Sequence, residues 1–364
     1  MDRDVCLMRL AFRWFDSTDT IPLRYIRQIP GMTGIVSALY DLVPGEVWPV
    51  ELLAAMRRRV ENADLEFRII ESIPIHEDIK LGGKRRDERV DAWIRSLEAV
   101  AKALGPRSSP TGSEEPVVVT YNFMPVFDWT RSDLASVLPD GSTALAYEAD
   151  TVAKMDPLNG ELELPGWLAS YTHDELAGLL DEYRGTPSET VYGNLVSFLR
   201  DVAPEAQRLG IRLALHPDDP PWPLFGIPRV MTSAASVRRL FADVPNPASG
   251  LCLCAGSFGA DPANDIPAMA TEFADRTYFA HLRNVRITGP GSFTETAHYT
   301  GSGSLDMAAI VDALVAAGYK GPVRPDHGRM IWDEKVKPGY GLYDRALGAT
   351  YVLGLIERSE YKRE

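Results

Sequence analysis

The chain has 364 residues, enough to bury one large α/β core or two smaller ones. Its 38 basic and 51 acidic residues leave a formal charge of −13, which argues against nucleic acid or an anionic membrane as the main partner, because both call for clustered positive charge. Three cysteines without framework spacing, an opening MDRDVCLMRLAFRWFD that carries early acids, and no run near the roughly 20 apolar residues of a membrane span make the cytoplasm the expected compartment.

Taken in order, short β-like runs alternate with helical stretches. MRLAF (8–12) and GIVSAL (34–39) read as the first two strands, and a helix starts near Pro49, with proline in its first turn. LEFRIIES (65–72) is a third strand. Val90, Trp93, Ile94, Leu97, Val100, Ala101 and Leu104 then recur at three- and four-residue steps, an amphipathic helix stopped by Gly105-Pro106. The polar RSSPTGSEEP is a connector, and VVVTYNF (117–123) is a buried strand. TPSE (186–189) predicts a capping box, with Thr186 as the cap and Glu189 reaching back, opening a helix that bends at Pro204. IRLALH (211–216), GLCLCAG (250–256), YFAHLRNV (278–285) and PVRPDHG (322–328) complete eight strands.

Repeated βα units predict a parallel sheet, and eight of them predict a single (β/α)8 TIM barrel across residues 1–364. A doubly wound open sheet is the second choice, weakened because no GxGxxG follows the first strand. Residues 125–185, after strand 4, are too long for an ordinary loop. In a barrel they form an insertion on the face where active sites sit, a lid or wall over the mouth.

Strands five to eight end in His216, Cys254, His281 and Asp326. Each alone has an ordinary explanation: a buried cysteine is usually a small core residue, as Cys252 is expected to be, and an aspartate after a strand is usually a turn former. Four ligand types at four successive strand ends are another matter, because those ends converge on one mouth. Two imidazoles, a thiolate and a carboxylate suit a divalent transition metal; the thiolate favours Zn(II) or Fe(II), and the carboxylate also suits Mn(II). His327, beside Asp326, is either a general acid or base or a hydrogen-bonded support. Tyr340, in PGYG, is either close to a ligand or a turn aromatic. Trp14 in FRWFD, His76 in ESIPIHEDIKLG and Asn122 in YNFMPVFDWTRSDL follow other strands and are the substrate-binding candidates, in loops that mix amide, charge and aromatic rings as sites for polyhydroxylated ligands do.

RQIPGMTGIVSALYD, GEVWPVE, ESIPIHEDIKLG, YNFMPVFDWTRSDL, HLRNV, RPDHGRMIW and PGYGLYDRALGATYVLGL together resemble the mannonate dehydratase family, from about residue 8 to 356. The resemblance implies a xylose-isomerase-like barrel and a small sugar-acid substrate, D-mannonate, dehydrated to 2-keto-3-deoxy-D-gluconate in hexuronate breakdown. It implies Mn(II) or Fe(II), held by His216, Cys254, His281 and Asp326, and a homodimer or higher homo-oligomer. Arg283, His327 and Tyr340 are similar to the family's catalytic group. A metal-dependent sugar isomerase or epimerase, a metal-dependent nuclease and a non-catalytic sugar-acid sensor are the competing readings. FRWFDSTDT departs from the family's start.

Overall fold

The computed structural model describes residues 8–105, 107–108, 114–158 and 171–362. Cys6 and the middle of RSSPTGSEEP lie outside the described residues. Eight parallel strands close into a barrel: β1 (Arg9–Arg13), β2 (Met32–Ser37), β3 (Glu66–Glu71), β4 (Val117–Tyr121), β5 (Ile211–Leu215), β6 (Ser249–Cys254), β7 (Thr277–His281) and β8 (Pro322–Arg324). Each is hydrogen-bonded to its neighbours in sequence, and β8 returns to β1.

Strand side chains alternate, so one set faces the barrel axis and the other the helices. Ala11, Val36, Ile69, Val118, Ala214, Cys252 and Phe279 form an apolar plug inside. Cys252 is therefore a core residue, as expected. Two residues further along, the inward positions of six of these strands turn polar, Arg13, Glu71, Thr120, His216, Cys254 and His281, while β2 is followed by Ala38. The strand register sets their height, since Cys254 lies opposite His281, and His281 opposite Arg324.

The outer face is covered by amphipathic helices. Helix Arg86–Leu104 buries Val90, Trp93, Leu97, Val100 and Leu104, and the Trp93 ring meets Phe198 of helix Ser188–Arg208 edge-on at 5.1 Å. Each such side chain contributes roughly 1.5–3 kcal/mol by leaving water. Helix Ser188–Arg208 continues through Pro204 as one element.

The predicted capping box at Thr186 is not formed. Pro187 takes the cap position without a side-chain bond, Thr186 Oγ1 donates back to Glu182 O, and Glu189 pairs with Arg239 instead. Glu189 has a better partner in a neighbouring helix than the backbone offers. Capping boxes occur instead at Thr172–Glu175 and Ser233–Ser236.

A second sheet stands outside the barrel. Asp133–Val137 pairs antiparallel with Thr143–Tyr147, both after β4, and Thr143–Tyr147 pairs antiparallel with Ser292–Glu295, which pairs in turn with Val285–Gly289, both after β7. Its contacts reach the β8–helix loop, where Thr143 and Met330 exchange backbone hydrogen bonds of 3.1 and 2.7 Å. Arg329 joins Asp140 to Asp344 at 2.7 and 2.8 Å.

Candidate metal centre and active site

The C-terminal ends of the strands enclose a cavity of about 380 Å³ lined by, among others, Arg13, Phe15, Glu71, Asn122, Asp128, Trp129, His216, Asp219, Arg283, Arg324, Asp326, His327, Lys337 and Tyr340. That size suits a small ligand.

At its floor the donor atoms of Cys254, His281 and Asp326 lie within 4.8 Å of one another, and those of His216, Cys252 and His281 form a second, overlapping group. His281 is common to both. Cys254 Sγ is 3.8 Å, and His281 Nδ1 3.7 Å, from Asp326 Oδ2. An ion about 2.0–2.3 Å from each donor spans up to about 4.6 Å between donors, so these separations fit one. His281 is fully buried; its Nε2 faces Glu71 Oε2 at 3.3 Å, whereas its Nδ1, 3.7 Å from Asp326 Oδ2, has no hydrogen-bond partner. Buried polar atoms rarely stay unpaired, and an ion bound to the ring supplies the missing partner. His216 Nδ1 is tied to Pro217 O at 2.7 Å, which leaves the other nitrogen as its donor atom. Cys252 lies in the apolar plug, where burial pushes its thiol well up, so it suits a packing role and not a ligand role.

The walls are built of buried charge. Arg13, Arg131, Arg283 and Arg324 face Glu71, Asp219, Glu295 and Asp326, all at most 9% exposed. Arg13 pairs with Glu71 at 2.7 Å, and Arg324 with both Glu71 and Asp326. Arg131 bridges Asp219 at 2.8 Å and Glu295 at 2.6 Å. Arg283 donates to Asp219 Oδ2 at 2.7 Å and Ser257 Oγ at 3.0 Å, and Ser257 Oγ lies 3.1 Å from Cys254 Sγ. Burial alone would raise the Asp326 carboxyl; Arg324 first, then His327, His281 and Arg283, hold it well below its ordinary value. Asp219 is held low in the same way by Arg131 and Arg283.

A hydrogen-bonded line runs from this wall to the mouth. His327 Nδ1 is 2.9 Å from Glu295 Oε1 and 3.1 Å from Arg283 Nη1, and His327 Nε2 is 2.9 Å from the Tyr340 hydroxyl. The Tyr340 phenol is raised by burial. Phe15 meets the Tyr340 ring edge-on at 4.8 Å, and Trp129 covers the His327 ring at 4.7 Å. Arg345, buried under the loop, donates to the carbonyls of Gly341, Arg13 and Tyr340, and so ties Tyr340 to the end of β1.

The four predicted ligands and Arg283, His327 and Tyr340 thus come together at one end of the barrel. Asn122 also faces the cavity, with its amide donating to Asp128 at 3.2 Å. Trp14 and His76 do not line it. Trp14 follows the inward Arg13 and turns outward, its indole donating to Ile21 O at 3.2 Å; Arg13 and Phe15 take the inward places. His76 caps helix Glu77–Leu81 by accepting from Asp78 N. Glu71, Asp219, Ser257, Arg131 and Glu295 were not singled out from sequence. Strand parity marks Glu71, two residues beyond Ile69, and Asp219 stands three after His216. Glu295 lies where no strand was read.

The D-mannonate dehydratase (UxuA) family model matches residues 8–363. Mannonate dehydratase 2 of Halalkalibacterium halodurans is 48% identical over 96% of this chain and 99% of its own, and mannonate dehydratase of Streptococcus uberis is 45% identical over 96% and 98%. The crystal structure of mannonate dehydratase from Streptococcus suis serotype 2 superposes with a TM-score of 0.88 at 42% identity, covering 98% of this chain and 96% of that one. A xylose isomerase domain protein from Planctomyces limnophilus, at 13% identity and a TM-score of 0.58, shares the fold alone. Matched from end to end at this identity, and with the same barrel, the chain belongs to the mannonate dehydratase family.

Proposed function

We propose that the chain carries out its family's reaction, the dehydration of D-mannonate to 2-keto-3-deoxy-D-gluconate and water, as a hydro-lyase using Mn(II) or Fe(II) held by His216, Cys254, His281 and Asp326. One observation carries the reading: the donor atoms of Cys254, His281 and Asp326 lie within 4.8 Å of one another, and Asp326 lines one cavity with His216, Arg283, His327 and Tyr340.

The reaction removes the proton alpha to a carboxylate and expels the hydroxyl on the next carbon, so charge builds on a group that is already an anion. A divalent ion bound there supplies Lewis-acid stabilisation of that charge, worth several kcal/mol. The chain's own residues do the rest. His327 and Tyr340 share the two proton transfers, one at the alpha carbon and one at the leaving oxygen. Arg283, anchored by Asp219 and Ser257, keeps positive charge beside both Asp326 and His327. Asn122 and Asp128 offer polar contacts to substrate hydroxyls, and Phe15 and Trp129 keep water off the proton-transfer pair. Of the 125–185 insertion, Asp128 and Trp129 line the cavity and support the reading of it as a wall of the site; residues 159–170 lie outside the described residues. The wider setting follows the family: hexuronate breakdown in the cytoplasm, by a homodimer or higher homo-oligomer. The free, buried thiols of Cys252 and Cys254 suit a reducing compartment.

The test is a D-mannonate assay on metal-stripped protein, with Mn(II), Fe(II), Co(II) and Zn(II) added back singly. The expected result is 2-keto-3-deoxy acid formed with Mn(II) or Fe(II). No acid from D-mannonate together with isomerisation of an aldose in a parallel incubation would favour an isomerase, and tight D-mannonate binding without turnover under any metal would favour a sensor.

A further inference from the structure

Glu295 ends the outer strand Ser292–Glu295, outside the barrel, and is fully buried. Its Oε1 atom receives Arg131 Nη2 at 2.6 Å and Arg283 Nη1 at 3.3 Å, and it lies 2.9 Å from His327 Nδ1. We propose that Glu295 is a positioning residue for the proton-transfer pair: it fixes His327 with hydrogen on Nδ1, so that Nε2 turns its lone pair to the Tyr340 hydroxyl. The proposal rests on His327 taking part in proton transfer.

Two groups compete for Nδ1, and they demand opposite forms of the ring. Glu295 can only accept, so its contact needs hydrogen on Nδ1; Arg283 can only donate, so its contact at 3.1 Å needs a bare Nδ1. Glu295 wins on three grounds. Its contact is the shorter of the two. Two guanidiniums, Arg131 at 2.6 Å and Arg283 at 3.3 Å, surround its Oε1 atom and favour the ionised carboxylate. Arg283 Nη1 also has carboxylates within reach, Glu295 at 3.3 Å and Asp326 at 3.6 Å, so its hydrogens have charged acceptors without the ring. A carboxylate behind a histidine selects the ring form and orientation in this manner in other enzymes.

The placement also gives the outer sheet a catalytic purpose. The strand bearing Glu295 pairs with Thr143–Tyr147, and that strand pairs through Thr143 with Met330 of the loop that carries His327. The sheet therefore holds both ends of the Glu295–His327 contact.

The direct test is nitrogen NMR of zinc-loaded protein labelled with ¹⁵N-histidine, with the His327 signals identified by their loss in His327→Asn. Hydrogen on Nδ1 and an Nε2 that accepts from Tyr340 is expected; hydrogen on Nε2 with a bare Nδ1 overturns the proposal. In Mn(II)-loaded protein, Glu295→Gln should lower kcat by about 10²–10⁴-fold with KM for D-mannonate and bound metal within about twofold of wild type. Glu295→Asp, which keeps the charge, should recover part of that loss. Wild-type turnover in Glu295→Gln, or kcat, KM and metal falling together without rescue by Asp, counts against positioning. D-mannonate turnover by the wild-type chain tests the underlying reading separately.

Discussion

His327 and Tyr340 share one 2.9 Å hydrogen bond, and each is at most 6% exposed, so removing either leaves the other without its partner inside the site. His327→Asn and Tyr340→Phe should each lower kcat by about 10²–10⁴-fold while metal stoichiometry, read by elemental analysis, stays unchanged. Near-normal turnover in either variant would take that residue out of the chemistry. Cys254→Ser should do the converse. Ser257 and Asp326 lie 3.1 and 3.8 Å from Cys254 Sγ, the surroundings of a ligand and not of a packing thiol. Metal affinity, measured by chelator competition, should fall at least about tenfold. Lys337 has a different character: the arginines of the cavity are committed to carboxylates, whereas its ammonium rests 4.2 Å over the Phe15 ring at the rim. Lys337→Met should therefore raise KM for the anionic substrate more than it lowers kcat, and an unchanged KM would remove Lys337 from binding.

At the scale of elements, the short helix Ala255–Gly259 after β6 governs Arg283. A Cβ on Gly256 would run into Arg283 Nε, with Cγ and Cζ both 2.9 Å away, so the guanidinium stem lies directly on the glycine. Gly256→Ala should push Arg283 off Asp219 and Ser257 and lower kcat, with an unchanged circular dichroism spectrum; full activity would show that Arg283 can shift freely. This same level decides what the sequence disclosed. Strand ends and period-two alternation were legible, so the barrel and the positions of His216, Cys254, His281 and Asp326 could be read from pattern. Trp14 was misread because parity, not proximity to the strand end, decides which side chain faces in: Arg13 and Phe15 do. His76 satisfies a helix end, a local need that looks from sequence like an exposed ligand. The outer sheet escaped because its strands are short and Asp133–Val137 is half exposed, so pairing between segments about 150 residues apart carries no local signal. Glu295, and with it the support of His327, was hidden for that reason.

For the molecule as a whole, the four buried arginines and four buried carboxylates link β1, β3, β5, β7 and β8 through one set of ion pairs with the outer sheet, and their titration sets the acid limit of the fold. In Glu71, Asp219, Glu295 and Asp326 burial raises the carboxyl, but neighbouring cations outweigh it and hold all four below their ordinary values of 4.5 for Glu and 3.8 for Asp. The sign follows from proton uptake. Well above pH 4.5 both the folded and the unfolded chain keep these groups ionised, and their contribution is full. As pH falls through 4.5 and 3.8 the unfolded chain takes up protons that the folded chain refuses, so stability drops with pH. Each such proton is worth about 1.4 kcal/mol per pH unit. Urea unfolding of metal-stripped protein should therefore show stability falling steeply between about pH 4.5 and 3, and barely changing from pH 5 to 7 on account of these groups. Asp219→Asn should lose roughly 3–5 kcal/mol near neutrality, since Arg131 and Arg283 then lose a buried partner. It should also show a shallower acid limb, because one of the protons that drive the fall is gone. An acid limb as steep as that of the wild type would mean that Asp219 is not ionised in the folded chain, and the pairing of Arg131 and Arg283 around it would have to be reassigned.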